Sequence, residues 1–492
     1  MLTIRAINGI IIINRYTSKN NLNRRYEMSE KIFNVLDFGA KANGVDSDTA
    51  AVRAAIDACS EAGGGKVFFP KKQYVLATIF LKDNVHIEFE TGAIILGDLN
   101  FYNYEQQEYV PEPYCNYQDA SHTYFNLAMF LGRGVKNIAL TGKAKINMRS
   151  VWDVDFVRGQ DGDGRGPKCI SLRECDDVLI ADLSIDNAPD LAIYFAGCNN
   201  VDIHGIKMNV HIDGISPDNS KNVKIYDCDI EAGDDAIVFK SSYSLERLDI
   251  CKNIDIRNCR LKSRCNDIKF GTETNGGFED ILIENIEMYD TRIAGIAIES
   301  VDGAVIDGVT IRNVNMVNVN APIFIHIGKR MRGPEGREVG SIRNVTLENI
   351  TADGPYEPYL APAWSLDYYT KRNFLQYPWI YLERDRTVEN QEIEGRYMPW
   401  QFTSNCCGLR ERPLENITLR NIHLKLAGGV KEYKKEVPEF VPEYPEVHVY
   451  GRILPAKGIY FRYVNGLTLE NITVDTYYPD ARENDVVLEH VN

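Results

Sequence analysis

The acidic residues that could do chemistry are concentrated in two short segments, HIDGISPD from His211 and AGDDA from Ala232. These segments contain Asp213 and the adjacent pair Asp234 and Asp235. Carboxyl groups held at one site repel each other when they are ionised, so we expect at least one of the three to have a raised pKa. Hydrolysis of a glycosidic bond needs one protonated carboxyl for the leaving oxygen and one carboxylate that activates water or attacks the sugar. The two segments therefore predict a glycosidase site.

Two other roles fit the same residues. Asp and Asn are common at the corners of repetitive β-structures, and we assign Asp218, Asp227 and Asp229 to that structural class. Clustered carboxylates also bind hard cations such as Ca²⁺, which a polysaccharide lyase would use together with a basic residue that abstracts a proton. The acidic residues alone thus favour a hydrolase only slightly over a metal site.

An internal repeat predicts how the acidic residues come together. Each copy alternates apolar and polar residues and ends in Asn, Asp or Gly, which is typical of a strand followed by a turn. Copies recur every 22 to 31 residues between Asn200 and Gly308, with no helical pattern between them, which indicates an all-β, single-stranded parallel β-helix. Successive coils would then stack about 4.8 Å apart and bring the three aspartates to one face, provided that the chain bends near Gly233. The copies begin at Lys136, Asp176, Asn199, Lys221, Lys252, Glu279, Asp307, Arg343, Glu415 and Asn465.

The positions at which the repeat begins, ends and is interrupted predict the domain organisation of the chain. Residues 1–30 are expected to be a disordered or mis-started extension, residues 31–480 the β-helix, and residues 481–492 a C-terminal tail. The segment SDTAAVRAAIDACSEAGGG from Ser47 has helical spacing, which predicts a short N-terminal capping helix with Asp48 as its N-cap. Its glycines would end the helix.

Two insertions interrupt the repeat, at about residues 355–401 and 430–457. The first carries three of the four tryptophans, and we interpret it either as a sugar-stacking wall over the cleft or as an interface or packing lid. The second is rich in Pro, Glu and Tyr. The three tryptophans are Trp364, Trp379 and Trp400.

Composition limits the partners. The formal net charge is −15, which argues against nucleic acid and anionic membrane surfaces as partners. The 11 cysteines contain no CxxC pair, and the N-terminus resembles a signal peptide only weakly, so we expect a reducing, cytoplasmic location, with secretion as the alternative. Four Asn-x-Thr sequences are interpreted as repeated turn positions and not as glycosylation sites, namely Asn344, Asn349, Asn416 and Asn471.

Several motifs resemble glycoside hydrolase family 28, the polygalacturonase family. These are FNVLDFGAKANG from Phe33, DGISPDNSKNV around Asp213 and AGDDAIVFKS around Asp234. The resemblance runs to about residue 475. It implies a right-handed parallel β-helix and inverting hydrolysis without a metal or cofactor. By position, Asp234 resembles the general acid, and Asp213 with Asp235 resembles the pair that activates water.

The sequence departs from the family at the substrate-binding motifs. The family's Gly-His-Gly motif falls on Cys265-Asn266-Asp267, and its Arg-Ile-Lys motif falls on Ala297-Ile298-Glu299. A galacturonate in that subsite would therefore face a carboxylate instead of two cations. Asn266, Lys269 and Glu299 occupy the family's binding positions. Further candidates for substrate binding are Lys240, Lys329, Arg330 and His326, of which His326 is equally compatible with a place in the wall of the solenoid.

Together these observations predict a glycosidase that acts on galacturonan or rhamnogalacturonan oligosaccharides. Exo action is expected because the insertions would close one end of the cleft. The alternatives are a β-helix lyase and a non-catalytic glycan-binding β-helix. The expected partner is the oligosaccharide, and the sequence leaves a homo-oligomer open.

Overall fold

A computed structural model describes residues 31–108, 111–123, 125–151, 166–354, 401–442 and 444–492. It also gives the backbone of Thr3–Ile7 and Ile10–Asn14, which pair as antiparallel strands, and of a second antiparallel pair, Asn390–Ile393 and Arg396–Pro399. The tryptophan-rich part of the 355–401 insertion lies outside the described residues. Among the residues that are described, no helix is both long enough and apolar enough to cross a bilayer.

Three stacks of parallel strands form the body of the molecule, and the predicted parallel β-helix is confirmed. We name them stacks A, B and C. Stack A contains Ile79–Phe80, Ala128–Arg133, Lys168–Arg173, Ile193–Ala196, Ile215–Asp218, Ile237–Ser241, Asn266–Thr274, Ala294–Ser300, Ala321–Ile327, Ser404–Cys407, the first part of Ala456–Tyr478 and Asn484–Val491.

Stacks B and C complete each coil. Stack C contains Asn43–Ser47, Gln73–Leu76, Ile94–Gly97, Lys145–Asn147, Ser184–Asp186, Lys207–Val210 and Asp229–Ala232. From Ile250 onward single long strands continue from stack B into stack C. Stack B contains Ile32–Asn34, Gly65–Phe69, Val85–Phe89, Lys136–Thr141, Asp176–Ala181, Asn199–His204, Lys221–Tyr226, Ile250–Ser263, Gly277–Tyr289, Val305–Val317, Ser341–Asp353, Leu414–Gly428 and Ala456–Tyr478.

A column of isoleucines fixes the register of stack A. Successive coils pair isoleucine with isoleucine, and every side chain in the column is fully buried in the core. β-branched side chains stack well on a pleated surface and have few rotamers, so a one-residue slip would break the whole column. The column comprises Ile170, Ile193, Ile215, Ile237, Ile268, Ile296 and Ile323.

The helix Thr49–Glu61 covers the N-terminal end, as predicted, and buries Val52 and Ile56 on the core. Asp48 stands at the N-cap position, but the prediction that its side chain caps the helix is wrong. Its carboxylate instead accepts from the backbone of Lys41 at 2.7 Å and Ala42 at 3.0 Å, and so holds the preceding loop. The other described helical segments are Ala120–Thr123 and the 3₁₀ turns Val35–Phe38, Phe101–Asn103 and Tyr114–Tyr117.

The chain after residue 480 is part of the solenoid. Asn484–Val491 pairs in parallel with the strand Ala456–Tyr478, so the prediction of a separate tail at 481–492 is wrong there. The alternation DVVLEHV within this strand is too short to reveal the period by itself.

Asparagines line the bends of the long strands in the left-handed conformation, with φ near +55°. In one ladder each side-chain amide donates to the side-chain oxygen of the residue one coil earlier, through Asn258, Asn285, Asn313, Asn349, Asn421 and Asn471. A second ladder joins Asn416 to Asn344 and Asn344 to Asp307. These ladders confirm that the four Asn-x-Thr asparagines are turn residues.

Replacing a ladder asparagine separates backbone strain from hydrogen bonding. Asn313→Ala loses two ladder hydrogen bonds, at 3.1 and 2.9 Å, and places alanine, which tolerates the left-handed region less well than asparagine, at a φ of 56°. We expect a loss of about 2–3 kcal/mol in the free energy of unfolding, of which Asn313→Gly recovers about 1 kcal/mol because glycine accepts the same φ. Urea titration followed by circular dichroism measures both values. Equal losses for the two variants would contradict the strain component.

Candidate active site

The three predicted acidic residues lie at the corner where the chain passes from stack C to stack A. Strand Asp229–Ala232 ends directly before this corner, and Ile237–Ser241 begins after it. The bend that we expected near Gly233 is therefore present. Because Ile215 pairs with Ile237, Asp213 lies one coil below Asp235.

The carboxyl groups of the corner are within interaction distance of each other. The backbone N–H of Asp235 donates to Asp213 Oδ1 at 3.2 Å. Carboxylate oxygens of Asp234 and Asp235 and the sulfur of Cys265 all lie within 4.8 Å of one another. Asp213 and Asp235 are 5% and 4% exposed, whereas Asp234 is half-buried. Asp234 is thus the member of the group that solvent or a ligand reaches most easily.

Burial dominates the electrostatics of this corner. Loss of solvation raises the pKa of Asp213 well above its ordinary value, and the neighbouring charges of Asp234 and Asp235 raise it further. Loss of solvation also raises the pKa of Asp235, although the Lys269 ammonium at 3.9 Å opposes the shift. Burial thus raises the pKa of two of the three acids, Asp213 and Asp235.

Asn266 and Lys269 hold Asp235 from the next coil. The backbone and side-chain N–H groups of Asn266 donate to Asp235 Oδ1 at 3.0 and 2.8 Å. The side chains of Asn266 and Lys269 are at most 3% exposed, and both belong to strand Asn266–Thr274. The structure thus brings together Asp213, Asp234, Asp235, Asn266 and Lys269, and Glu299 lies 3.8 Å from the Lys269 ammonium.

Comparison with known proteins places this site in a family. The family model for "Glycosyl hydrolases family 28" matches residues 59–357, which include every predicted site residue. The chain belongs to glycosyl hydrolases family 28. The predicted family is thereby confirmed, together with its β-helix fold.

Relatives in the family are distant. A probable polygalacturonase of Vitis vinifera is 25% identical over 280 residues, which cover 54% of this chain and 56% of that protein. An exo-poly-alpha-D-galacturonosidase of Dickeya chrysanthemi is 23% identical over 337 residues, covering 59% and 56%. The chain therefore spans just over half the length of these two relatives. A hyperthermoactive exopolygalacturonase from Thermotoga maritima has the same fold, with a TM-score of 0.66 at 17% identity over 91% of this chain and 93% of that structure.

The remaining predicted cations of this family 28 site are engaged in ion pairs. Lys240 lies 2.8 Å from Glu273. Arg330 donates to both oxygens of Asp302, at 2.9 Å for Oδ1, and to the carbonyl of Thr272. Lys329 pairs with Glu411 at a more exposed position.

His326 lies one coil beyond Glu299, in the wall of stack A. Its ring stacks on Phe324 at 5.5 Å between ring centroids and meets Tyr450 edge-on at 5.6 Å. Loss of solvation lowers the pKa of His326 to about 3, so the ring is neutral at physiological pH. These contacts fit the role of a wall residue, the second of the two roles considered for it.

Two residues that sequence reasoning missed come from the 430–457 insertion. Glu446 Oε1 lies 2.7 Å from Lys269 Nζ, and the Tyr444 hydroxyl lies 3.0 Å from Thr272 Oγ1. The sequence identified this insertion as an interruption rich in Pro, Glu and Tyr, but no periodicity connects it to a particular coil. Only the folded chain shows that it reaches the acidic corner.

The composition of the corner argues against Ca²⁺. Asp234, Asp235 and Cys265 form the group of potential metal ligands found among the described residues. Burial raises the pKa of the Cys265 thiol well above its ordinary value, so sulfur is present as the neutral thiol. A hard cation prefers oxygen ligands, and a neutral thiol is a poor ligand for it.

The raised pKa of Asp213 predicts how stability depends on pH. The folded protein keeps a proton on Asp213 at pH values at which the unfolded chain, with an Asp pKa near 3.9, has released it. Stability is therefore unaffected below about pH 4 and falls as the pH rises towards the folded pKa. Asp213→Asn removes this loss, so we expect its melting temperature to exceed that of the wild type by about 2–4 °C at pH 7 and to match it near pH 4. Scanning calorimetry from pH 4 to 8 measures the difference.

Asp307→Asn serves as the matched control. The pKa of Asp307 is lowered by its hydrogen bond from Asn344 and by Arg343, so its contribution to stability has the opposite sign. The melting temperature of Asp307→Asn is not expected to exceed that of the wild type at pH 7. An Asp213→Asn variant whose melting temperature shifts equally at all pH values would refute the assignment.

Proposed function

We propose that the protein is a glycosidase that hydrolyses pectic oligosaccharides with the aspartates of the corner between stacks C and A. The observation that carries the proposal is the arrangement of three carboxyl groups at one corner, of which two are buried and one is accessible. Family membership and the polygalacturonase names of the relatives support the substrate class.

The exposures suggest different roles for the three acids. A general acid must reach the glycosidic oxygen, and Asp234 is the most accessible of them. Asp235 is oriented by Asn266 and faces the Lys269 ammonium, which favours a carboxylate able to take a proton from water. Asp213 lies against Asp235 and helps to hold that water. In one turnover Asp234 gives its proton to the leaving oxygen, Asp235 receives one, and exchange with solvent restores both.

One distance favours a second mechanism. Inverting glycosidases usually hold their two carboxyl groups about 6.5–9.5 Å apart, and retaining ones about 5–5.5 Å apart. Asp234 and Asp235 oxygens lie within 4.8 Å. Inversion therefore requires that the water sits beside Asp213 and Asp235 and not between Asp234 and Asp235. The retaining alternative makes Asp235 a nucleophile.

Asp234→Asn is expected to lower kcat on a pectic oligosaccharide by about 10²–10⁴-fold, because no proton reaches the leaving oxygen. The loss should be much smaller on an aryl glycoside of the same sugar, whose leaving group needs no proton. Reducing-end release and aryl-alcohol release measure the two rates.

Asp227→Asn is the control for this variant. Asp227 lies in the same coil and accepts from the Asn258 side chain, a role that Asn also fills. It should retain wild-type rates. Full turnover of the oligosaccharide by Asp234→Asn would refute the role of Asp234. Products that absorb in the ultraviolet and activity that a chelator removes would instead identify a lyase.

Proton NMR of the first products decides between inversion and retention. We expect the newly formed reducing end to show the anomer opposite to that of the cleaved bond, before mutarotation mixes the two. The retained anomer would contradict the inverting mechanism and make Asp235 the nucleophile.

Exo action and a cytoplasmic location complete the proposal. The 430–457 insertion packs over stack A beside the site, and the names of the Dickeya and Thermotoga proteins describe exo enzymes, which supports release from a chain end. All eleven cysteines are free, and nine of them are buried, which is compatible with a reducing compartment. An exo enzyme there would act on short imported oligosaccharides.

A further inference from the structure

The cations near the acidic corner are already matched by carboxylates of the protein. Lys240 pairs with Glu273, which also binds Arg332 at 2.6 Å. Arg330 is held by Asp302, whose side chain is fully buried. Each of these cations would have to leave a buried partner before it could bind a uronate.

Lys269 is the clearest example of a cation that the protein's own carboxylates already match, because three of them surround it. Its ammonium lies 2.7 Å from Glu446, 3.8 Å from Glu299 and 3.9 Å from Asp235. One positive charge thus faces three acidic groups. The Tyr444 ring also covers it, with the ammonium 5.8 Å from the ring centroid. A sugar carboxylate at this position would be the fourth acidic group around one lysine, and such a contact is unfavourable.

Glu446 is the carboxylate that an incoming sugar meets first. Its side chain is 13% exposed, whereas those of Lys269 and Glu299 are 3% and 0% exposed. One of its oxygens binds Lys269, and the other lies 3.5 Å from the Asn266 amide. Each carboxylate oxygen accepts more than one hydrogen bond, so Glu446 keeps acceptor capacity for hydroxyl donors.

Glu299 lies below Glu446 with acceptor capacity of its own. Neither of its oxygens has a hydrogen-bond partner among the described residues, although it is fully buried. The adjacent Gly271 has no side chain, and a β-carbon built there would lie 3.5 Å from Glu299 Cβ. Buried acceptors of this kind are costly unless a donor reaches them. The nearest cation is the Lys269 ammonium at 3.8 Å, so Glu299 adds a second buried acidic group beside the lysine that Glu446 binds.

We propose that Glu446, together with Glu299, makes the subsite beside Asp235 specific for a neutral sugar ring and excludes a uronate. This inference rests on the proposed glycosidase function and adds the identity of the sugar class. Glu446 occupies the Lys269 ammonium in the way that a substrate carboxylate would, and it offers its remaining lone pairs to sugar hydroxyls.

Matched substrates test the preference. Homogalacturonan and rhamnogalacturonan oligosaccharides are each prepared in the acid form and after chemical reduction of their carboxyl groups, which leaves linkage and ring stereochemistry unchanged. Reducing-end assays give kcat/KM for each form. We expect the wild type to cleave a reduced form at least about tenfold faster than its acid form.

Glu446→Gln tests the residue itself. The variant keeps the size of the side chain but frees the Lys269 ammonium, so the ratio of acid-form to reduced-form kcat/KM should rise by about tenfold. Glu436→Gln is the matched control, because Glu436 is exposed in the same insertion and makes the same change of charge. Its ratio should equal that of the wild type.

Different results of these assays would contradict the neutral-sugar subsite and the proposed glycosidase function. Cleavage of none of the four preparations would overturn the proposed function. Cleavage with preference for the acid form would leave that function intact and refute the neutral subsite. A wild-type preference for the reduced form that Glu446→Gln changes no more than Glu436→Gln would refute the role of Glu446.

Discussion

Stacking of one coil on the next is the constraint on which the rest of the structure depends. The isoleucine column of stack A keeps equivalent positions in register, so residues far apart in sequence become vertical neighbours. Asp213, Asp235 and Asn266 are successive positions of one such column, two residues before Ile215, Ile237 and Ile268. The acidic site is thus a by-product of the register that builds the core.

The site opposes the stability that the core provides. Asp213 and Asp235 are buried next to each other, and burial raises the pKa of both. Such an arrangement persists only because the surrounding strands fix the backbone on every side. The many apolar contacts of the solenoid stabilise the fold enough to tolerate this local destabilisation. Buried carboxyl groups with shifted pKa values are typical of sites at which protons are exchanged at a defined position.

Sequence could predict the features that repeat. The alternation of apolar and polar residues and the Asn, Asp or Gly at each corner determined the β-helix, the ladder asparagines and the shared position of Asp213 with the Asp234–Asp235 pair. Features that do not repeat were harder to predict. The role of the Asp48 carboxylate depends on which backbone N–H groups come near it, and a helical pattern alone does not reveal this.

The same reasoning explains why the partners of the cations were missed. Lys240, Lys269 and Arg330 were predicted as substrate-binding residues by counting coils, but their partners come from other parts of the chain. Glu273 lies 33 residues after Lys240, and Glu446 lies 177 residues after Lys269. These pairs can be recognised only when the conformations of the loops are known. For His326, sequence left the cleft and the wall equally open, and its stacking on Phe324 favours the wall.

The insertion that carries Glu446 reaches back across three coils, from the turn before Ala456–Tyr478 to the strand Asn266–Thr274. Solenoids ordinarily connect each coil only to its neighbours. This loop therefore joins a late portion of the chain to its middle, and the pocket can be complete only after the loop itself has been synthesised. In evolution, changes of length or composition in this single loop could retune which sugars are accepted while the scaffold beneath stays untouched.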